Sequence, residues 1–525
     1  AITLIERLRQ QGRGLEVRSL FEHPSLQGLA QAVDNAQARG VREVPVPPNG
    51  IEPGCERITP EMLSLVSLTQ EEIEQISAGV RGGAGNIQDI YPLGPLQEGI
   101  LYHHRLQQQG DAYLTPTLLA FDTRAQLDRF AVALNRVIAR HDILRTAVQW
   151  EGLGEPVQVV WRQARFELEE LAFSETGEDG EGGGVQSQLA AFADPARLRL
   201  DVRQAPMLRG LVTYEASQQR WLLQLLHHHL IMDHTTLEAV VWELGLIDHD
   251  QDALLPEPLP FRNFVAQARL GVSQAEHDAF FREMLGDVNE PSVPFGLHDI
   301  RADGTQVQEA RQMVAPALAR RVRRQAQQQG VSAASVFHLA YAQVLAKGTG
   351  QDDVVFGTVL FGRMQGGAGA DRALGMFINT LPVRVKLGMQ TAREALQATQ
   401  RQLNGLMGHE HAMLARAQRC SGLESGTPLF SALLNYRYSQ APGEASNNEG
   451  GFEGLTVLGG EERTNYPFSL SVDDLGEDFA LTSHIDRSIG AERICEFMHT
   501  ALEQLVQALE SGGQGAVSTL AILPP

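Results

Sequence analysis

Cysteine is scarce in this chain: Cys55, Cys420 and Cys495 are the only three in 525 residues, and they stand far apart. That excludes a CxxC zinc knuckle and a disulfide scaffold, and it is the usage expected of a reducing, cytoplasmic compartment. Positive charge is short as well, with 43 lysines and arginines against 64 aspartates and glutamates and a formal charge of −21. Nucleic-acid affinity is carried by lysine and arginine on phosphates, so DNA and RNA are not expected partners. No apolar run approaches the roughly 18 residues that a membrane-spanning helix needs, so a helical membrane protein is excluded. Also missing are GxxxxGK[ST], GxGxxG, HExxH and any repeat with a period of 20–50 residues, which leaves ATP, nicotinamide and zinc-protease chemistry without sequence support.

What is there is an ordinary globular composition, 43% hydrophobic and 20% charged, on a chain too long for one core. Residues 1–38 read as helical: AITLIERLRQ opens in mid-helix, and LEVRSLFEHPSLQGLAQAV supplies a turn and an amphipathic helix starting near Pro24-Ser25. A helix already under way at residue 1 implies further chain upstream. RGVREVPVPPNGIEPG, residues 39–54, reads as a semi-extended linker, continued by a lead-in helix up to residue 87. From residue 88 the pattern is mixed α and β. Asp122-Thr123 caps a helix with apolar Leu127, Phe130, Leu134, Val137 and Ile138, and VQVVW (157–161) and LVTY (211–214) read as strands. ETGEDGEGGG (175–184) reads as an acidic surface loop. WLLQLL (221–226) is a strand that runs into HHHLIMDH, followed by a helix from Thr235 with a threonine cap. A helix at 334–346 and strands at 353–362 and 376–385 mark a second unit. The expected fold class is α/β (α+β), with two lobes over 88–268 and 269–525 and the helical segment 1–38 in front.

The distinctive string is His227-His228-His229-Leu230-Ile231-Met232-Asp233-His234. If the strand continues into it, His227 and His229 share one face and His228 the other. Three readings compete. Clustered histidines can satisfy hydrogen bonds at a junction, can ligate a metal, or can do acid–base work, for which an imidazole with pKa near 6.5 is suited. Against a metal, the string lacks the His-to-His spacing of four, and no cysteine pair completes a tetrahedron.

HHLIMDH resembles the HHxxxDG signature of the condensation domains of nonribosomal peptide synthetases. Six further segments resemble that family in order: YPLGPLQEGILYHH (91–104), RHDILRTAV (140–148), PFRNFVAQARLG (260–271), ALGMFINTLPVRV (373–385), HEHAMLARAQR (409–419) and PLFSALLNYR (428–437). The resemblance implies two chloramphenicol-acetyltransferase-like lobes in a V, with a central tunnel entered from opposite faces by two phosphopantetheine arms. It implies His229, His228 and Asp233 as the catalytic residues: His229 lies near the attacking amine as a base or as a group that positions it and stabilises charge in the tetrahedral intermediate, and Asp233, held by Arg145, shapes the loop, with action on a proton as the alternative. The family signature ends in glycine where this chain has His234; related domains that accept D-configured donors resemble it in carrying DH there.

His103-His104-Arg105-Leu106-Gln107-Gln108-Gln109-Gly110-Asp111 is similar to the second histidine signature, HH[I/L]xxxxGD, of dual epimerisation/condensation domains, with Arg105 in place of Ile or Leu. Epimerisation removes an α-proton and returns it to the opposite face, which one base does not easily do alone. His103, His104, Gly110 and Asp111 are therefore candidates for a second proton path or for shaping the donor channel, with simple packing as the bland alternative. Residues 1–38 resemble the part of a peptidyl carrier domain that follows its modification serine, which would lie about three residues before Ala1; Ser19 and Ser25 lack that context. The resemblance thus implies 4′-phosphopantetheine on carrier domains as cofactor, no metal, a donor carrier upstream, an acceptor carrier and adenylation domain downstream, and a monomer. The rivals are a condensation domain that accepts an already inverted donor, a silent docking platform, and an acyltransferase that uses coenzyme A.

Overall fold

The computed structural model describes residues 4–5, 7–8, 11, 13, 15, 26–39, 44–173, 184–298, 307–363, 373–424, 426–438, 452–460 and 466–524. Most of the segment before Leu26, including Ser19, Pro24 and Ser25, residues 40–43 of the linker, and the acidic loop at 175–183 lie outside the described residues. A helix over Leu26–Arg39 is described.

Three sheets carry the fold. A small antiparallel sheet has the order β1 (Ile87–Pro92), β4 (Val157–Trp161), β3 (Thr146–Gln149). A five-stranded sheet has the order β12 (Leu455–Gly460), β2 (Leu114–Phe121), β7 (Arg220–His228), β6 (Leu208–Glu215), β5 (Leu168–Glu170). A six-stranded sheet has the order β10 (Asn379–Lys386), β9 (Asp353–Leu360), β11 (Ala432–Tyr438), β13 (Phe468–Asp474), β14 (Phe479–Asp486), β8 (Val307–Met313), with β9, β11 and β13 parallel at its centre. Strands β9 and β13 at the centre of this last sheet are largely buried.

Six helices matter for the site. They are α1 (Pro95–Leu106), α2 (Arg124–Arg140), α3 (His234–Asp248), α4 (Gln274–Leu285), α5 (Ala333–Thr349) and α6 (Ala491–Glu510). In α2, Leu127, Phe130, Leu134, Val137 and Ile138 are all buried, and the Thr123 side chain accepts from the Gln126 amide in a capping box. Helix α5 is apolar nearly all round because it sits inside a hydrophobic core, with residues 335–346 buried.

The two large cores are not separate in sequence. One gathers residues 281–522 around α5 and α6. The other is built on β2, β7, α2 and α3, but it also takes in Ala373, Leu374, Met376, Phe377 and Phe452 from the second half of the chain. Strand β12 likewise pairs with β2, with Leu455 opposite Phe121. Two segments of the second half are therefore built into the five-stranded sheet or its core, an arrangement no local pattern at residue 268 reveals.

Two strands cover less than the hydrophobic runs predict. The run 353–362 stops at Leu360, because Gly362 turns the chain at a φ of 70° and its α-carbon lies against the Phe377 carbonyl. The run 376–385 becomes strand only at Asn379, since the Phe377 amide is engaged by Asp233 instead of a neighbouring strand.

Candidate active site

The site forms where β7 ends. The strand's alternation carries through His228 to His229, whose amide donates to the Tyr113 carbonyl at 2.9 Å. His227 and His229 line a cavity of about 2010 Å³, and His228 points the other way and is fully buried. Both halves of the chain wall this cavity. Tyr113, just before β2, and Thr115 and Thr117 of the five-stranded sheet line it, as do Thr358, Asn435, Ser469 and Ser471 of the six-stranded sheet.

The His229 ring is fixed by a bond within its own loop. Its Nδ1 lies 2.7 Å from the Met232 carbonyl, so that nitrogen is assigned the hydrogen and Nε2 keeps the basic lone pair. The imidazole is half-buried and belongs to the cavity wall. His228 is assigned the opposite tautomer: its Nδ1 accepts from the Leu230 amide at 3.1 Å, so Nε2 carries the hydrogen and donates to Asp111 at 3.0 Å. Burial lowers the pKa of His228 despite the favourable bond to Asp111.

Asp233 is buried and shapes the loop. Its Oδ1 accepts from the Thr236 amide at 2.8 Å and so caps α3, and its Oδ2 accepts from the Phe377 amide at 3.2 Å. The cap of α3 is thus Asp233 and not a threonine. Thr236 instead binds both the carbonyl and the amide of Gly375, at 2.8 and 3.0 Å.

The arginine partner of Asp233 is Arg363, not Arg145. The Arg363 guanidinium stands 3.4 Å from Asp233 Oδ1, donates to Thr236 Oγ1 and the Ala373 carbonyl, and lies 4.0 Å above the Phe377 ring. Arg145 serves another junction. It donates to the carbonyls of Ile138, Trp161 and Arg162 and to Gln88 Oε1, tying the end of α2 to β4 and β1. The aspartate electrostatically paired with it is Asp142, beside it in the same short turn.

His234, which replaces the family's glycine, is the first residue of α3 and lies 3.4 Å from Glu238 one turn on. It is not among the residues with positive φ, so this backbone does not require glycine here.

The first histidine pair divides. Gln97, Ile100, Leu101 and His104 form the buried stripe of α1 at helical spacing, which turns His104 inward and leaves His103 on the cavity wall. His104 Nδ1 donates to Asp111 Oδ2 at 2.6 Å. Burial alone would raise the Asp111 pKa, but the bonds from His104 and His228 prevail and hold it far below the usual carboxylate range. Gly110 sits at a φ of 68°, and a Cβ there would stand 2.3 Å from the Ala196 carbonyl oxygen, so glycine is demanded twice over. Among the described residues, His104, Asp111 and His228 are the one His/Asp group whose potential ligand atoms lie within 4.8 Å of one another. The separations of 2.6 and 3.0 Å from the shared oxygen are those of hydrogen bonds.

Several site residues carry no local signal. Arg363 lies 130 positions from Asp233. Gln97 donates to the Leu230 carbonyl at 2.7 Å and to Gln158, clamping α1 to the histidine loop. Tyr113 has its ring centroid 6.5 Å from that of His229 and 6.1 Å from that of His103. Asn379 holds the carbonyls of Glu410 and Ala412 at 2.8 and 2.7 Å, which ties the segments 373–385 and 409–419 to one another. The segments that carry the family resemblance contain Gln97 and Asn379; nothing local points to Arg363.

Two other histidines bear on stability. His338 and His411 are buried, and burial holds each near a pKa of about 4. The unfolded chain takes up these protons near pH 6.5 while the folded one refuses them, so stability is fully present above about 6.5 and falls as pH drops toward 4. Urea unfolding at pH 7 and pH 5 should show this loss, and His411→Gln should reduce the difference.

The protein-family model of the condensation domain matches residues 87–525. The chain belongs to the condensation-domain family. It is 47% identical over its whole length to malpinin synthetase of Mortierella alpina and 26% identical over 79% of its length to bacitracin synthase 1 of Bacillus licheniformis. It spans only 7% and 8% of those proteins. Among solved structures it is similar to a four-domain nonribosomal peptide synthetase bound to AMP and glycine, with a TM-score of 0.64 at 16% identity over 83% of this chain and 34% of that one. It is also similar to the condensation domain of the monacolin K polyketide synthase MokA, with a TM-score of 0.60 at 20% identity over 83% of this chain and 100% of that one. At these identities the structural likenesses concern the fold, which is mixed α and β. Among the described residues no helix is long and apolar enough to cross a membrane.

Proposed function

We propose that this chain forms an amide bond in nonribosomal peptide synthesis, joining a donor peptidyl thioester to an acceptor aminoacyl thioester, each on the phosphopantetheine arm of a carrier domain. The observation that carries the reading is His229, assigned a basic Nε2 by its bond to Met232, on the wall of a cavity shared by both halves of the chain. The amine of the acceptor attacks the donor thioester carbonyl, the C–S bond breaks, and the thiolate leaves. His229 accepts the proton the amine must lose, or holds the amine and the tetrahedral intermediate in place. The two lobes correspond to chloramphenicol-acetyltransferase-like units in a V, over 88–268 and 269–525, and residues 1–38 to the end of a donor carrier domain followed by a linker to 87. Malpinin synthetase and bacitracin synthase 1, similar to this chain in sequence, support this reading.

The reading extends to epimerisation of the donor residue before condensation. His103 is the histidine of the first pair that reaches the cavity, and its ring lies 6.1 Å from that of Tyr113, which lies 6.5 Å from that of His229. A narrower reading, condensation with a donor already inverted, is favoured by His104, which is bonded to Asp111 and is not part of the cavity wall. The test loads both carriers, supplies an L-terminated donor in D₂O, and follows product chirality and exchange at the donor α-carbon. Exchange with a D-configured junction supports the dual activity. Product without exchange leaves condensation alone, and no product overturns both.

A further inference from the structure

Three tethers meet on one buried carboxylate. Asp111 Oδ2 accepts from His104 Nδ1 at 2.6 Å and from His228 Nε2 at 3.0 Å, and Oδ1 accepts from the Tyr113 amide at 2.9 Å. Each leads to a different element: His104 to α1, His228 to the end of β7, Tyr113 to the start of β2. Asp111 itself is anchored, since its amide donates to the Pro195 carbonyl at 2.7 Å and Gly110 makes that approach possible. It is only 1% exposed and is not part of the cavity wall, so it does not meet substrate.

What it does reach, on both sides, is His229. The residue before His229 is held by its ring to Asp111, and the His229 amide is held by the Tyr113 carbonyl, whose own amide is held by Asp111. The His228 bond also has a required polarity. Because His228 Nδ1 accepts from Leu230, Nε2 must donate, and its partner must be an acceptor. A carboxylate satisfies His228, His104 and the Tyr113 amide together, whereas an amide in its place can keep both histidines on its one oxygen only by turning its NH2 group toward the Tyr113 N–H.

We propose that Asp111 is a positioning residue for His229: one carboxylate clasps the two histidine signatures and the Tyr113 amide, and so fixes where the His229 imidazole stands in the cavity. This rests on His229 being the group that handles the condensing amine. It assigns the aspartate of the first signature to geometry and not to proton transfer, and it gives condensation itself a dependence on that signature.

Asp111→Asn preserves shape and turns one acceptor into a donor. In the full chain, assayed with both loaded carriers, kcat for condensation is expected to fall about 10²-fold, the size of effect a misplacement near 1 Å produces, with KM for both thioesters nearly unchanged. The Tyr113 amide ¹⁵N resonance is expected to shift as that N–H loses its acceptor, while His228 keeps its Nε2–H tautomer. His104→Leu, which removes one tether and leaves the carboxylate, is expected to give a smaller loss in kcat with the same unchanged KM. A folded Asp111→Asn protein with wild-type kcat overturns the proposal, as does stoichiometric metal in the purified wild type that Asp111→Asn loses. His229→Ala in the same assay separates the two levels: if it turns over normally, the functional reading fails, and if it is inactive while Asp111→Asn is unaffected, only the positioning role fails.

Discussion

Replacing Arg363 by methionine is expected to destabilise the protein by about 3–5 kcal/mol, the cost of leaving a buried charge without its partner. Asp233 and Arg363 are each 2% exposed, so solvent screens the pair little. Two backbone amides remain on Asp233, but neither carries a full charge, and the Ala373 carbonyl and Thr236 hydroxyl lose a donor as well. Methionine is chosen because its stem can keep the contact over Phe377 and so isolates the charge. The double variant Asp233→Asn with Arg363→Met should recover part of the loss, since the uncompensated charge is then gone. Urea unfolding monitored by fluorescence checks this. A loss under about 1 kcal/mol for Arg363→Met would mean that the amides alone hold Asp233, the regime of a weak exposed pair. Arg145 replacements should also destabilise, through the carbonyls of Ile138 and Trp161, yet they should leave the Asp233 contacts intact.

That pair also shows how far the sequence can be read. Elements with a strong period are legible: the strand at 221–226, the helix capped at Thr123 and the apolar helix at 334–346 all form, because hydrophobic periodicity acts within one element. The alternation in HHHLIMDH puts His229 and His228 on opposite sides for the same reason. Helical spacing in YPLGPLQEGILYHH is enough to separate His103 from His104, since Gln97, Ile100, Leu101 and His104 fall on one stripe. What stays hidden is non-local. The pairing of β12 with β2, the burial of residues 373–377 in the first core, and the choice of Arg363 over Arg145 all depend on how distant segments are brought together. Arg145 is a reasonable partner by type, because a buried carboxylate needs a cation. Nothing in RHDILRT says that its guanidinium is already occupied by the carbonyls around it.

The second large effect is at His229. His229→Ala removes the imidazole that combines a place on the cavity wall with a bond that leaves Nε2 basic, and condensation is expected to fall by about 10²–10⁴, the range of general acid–base assistance. The ring is half-buried and bonds to a carbonyl in its own loop, so its loss should disturb the fold little. His228→Ala, by contrast, should act through the fold, because it strips partners from Asp111 and Leu230 in a fully buried site. The two histidines thus differ in kind: one variant should be stable and inactive, the other unstable.

The most direct measurement is a single-turnover assay in which a donor thioester and an acceptor thioester, each on its own carrier, are mixed with wild-type and His229→Ala protein under saturating conditions. A rate lower by about two orders of magnitude or more, with the variant's unfolding midpoint unchanged, is the expected result. Amide formation at the wild-type rate by a folded His229→Ala protein would contradict the assignment of that imidazole to the chemistry.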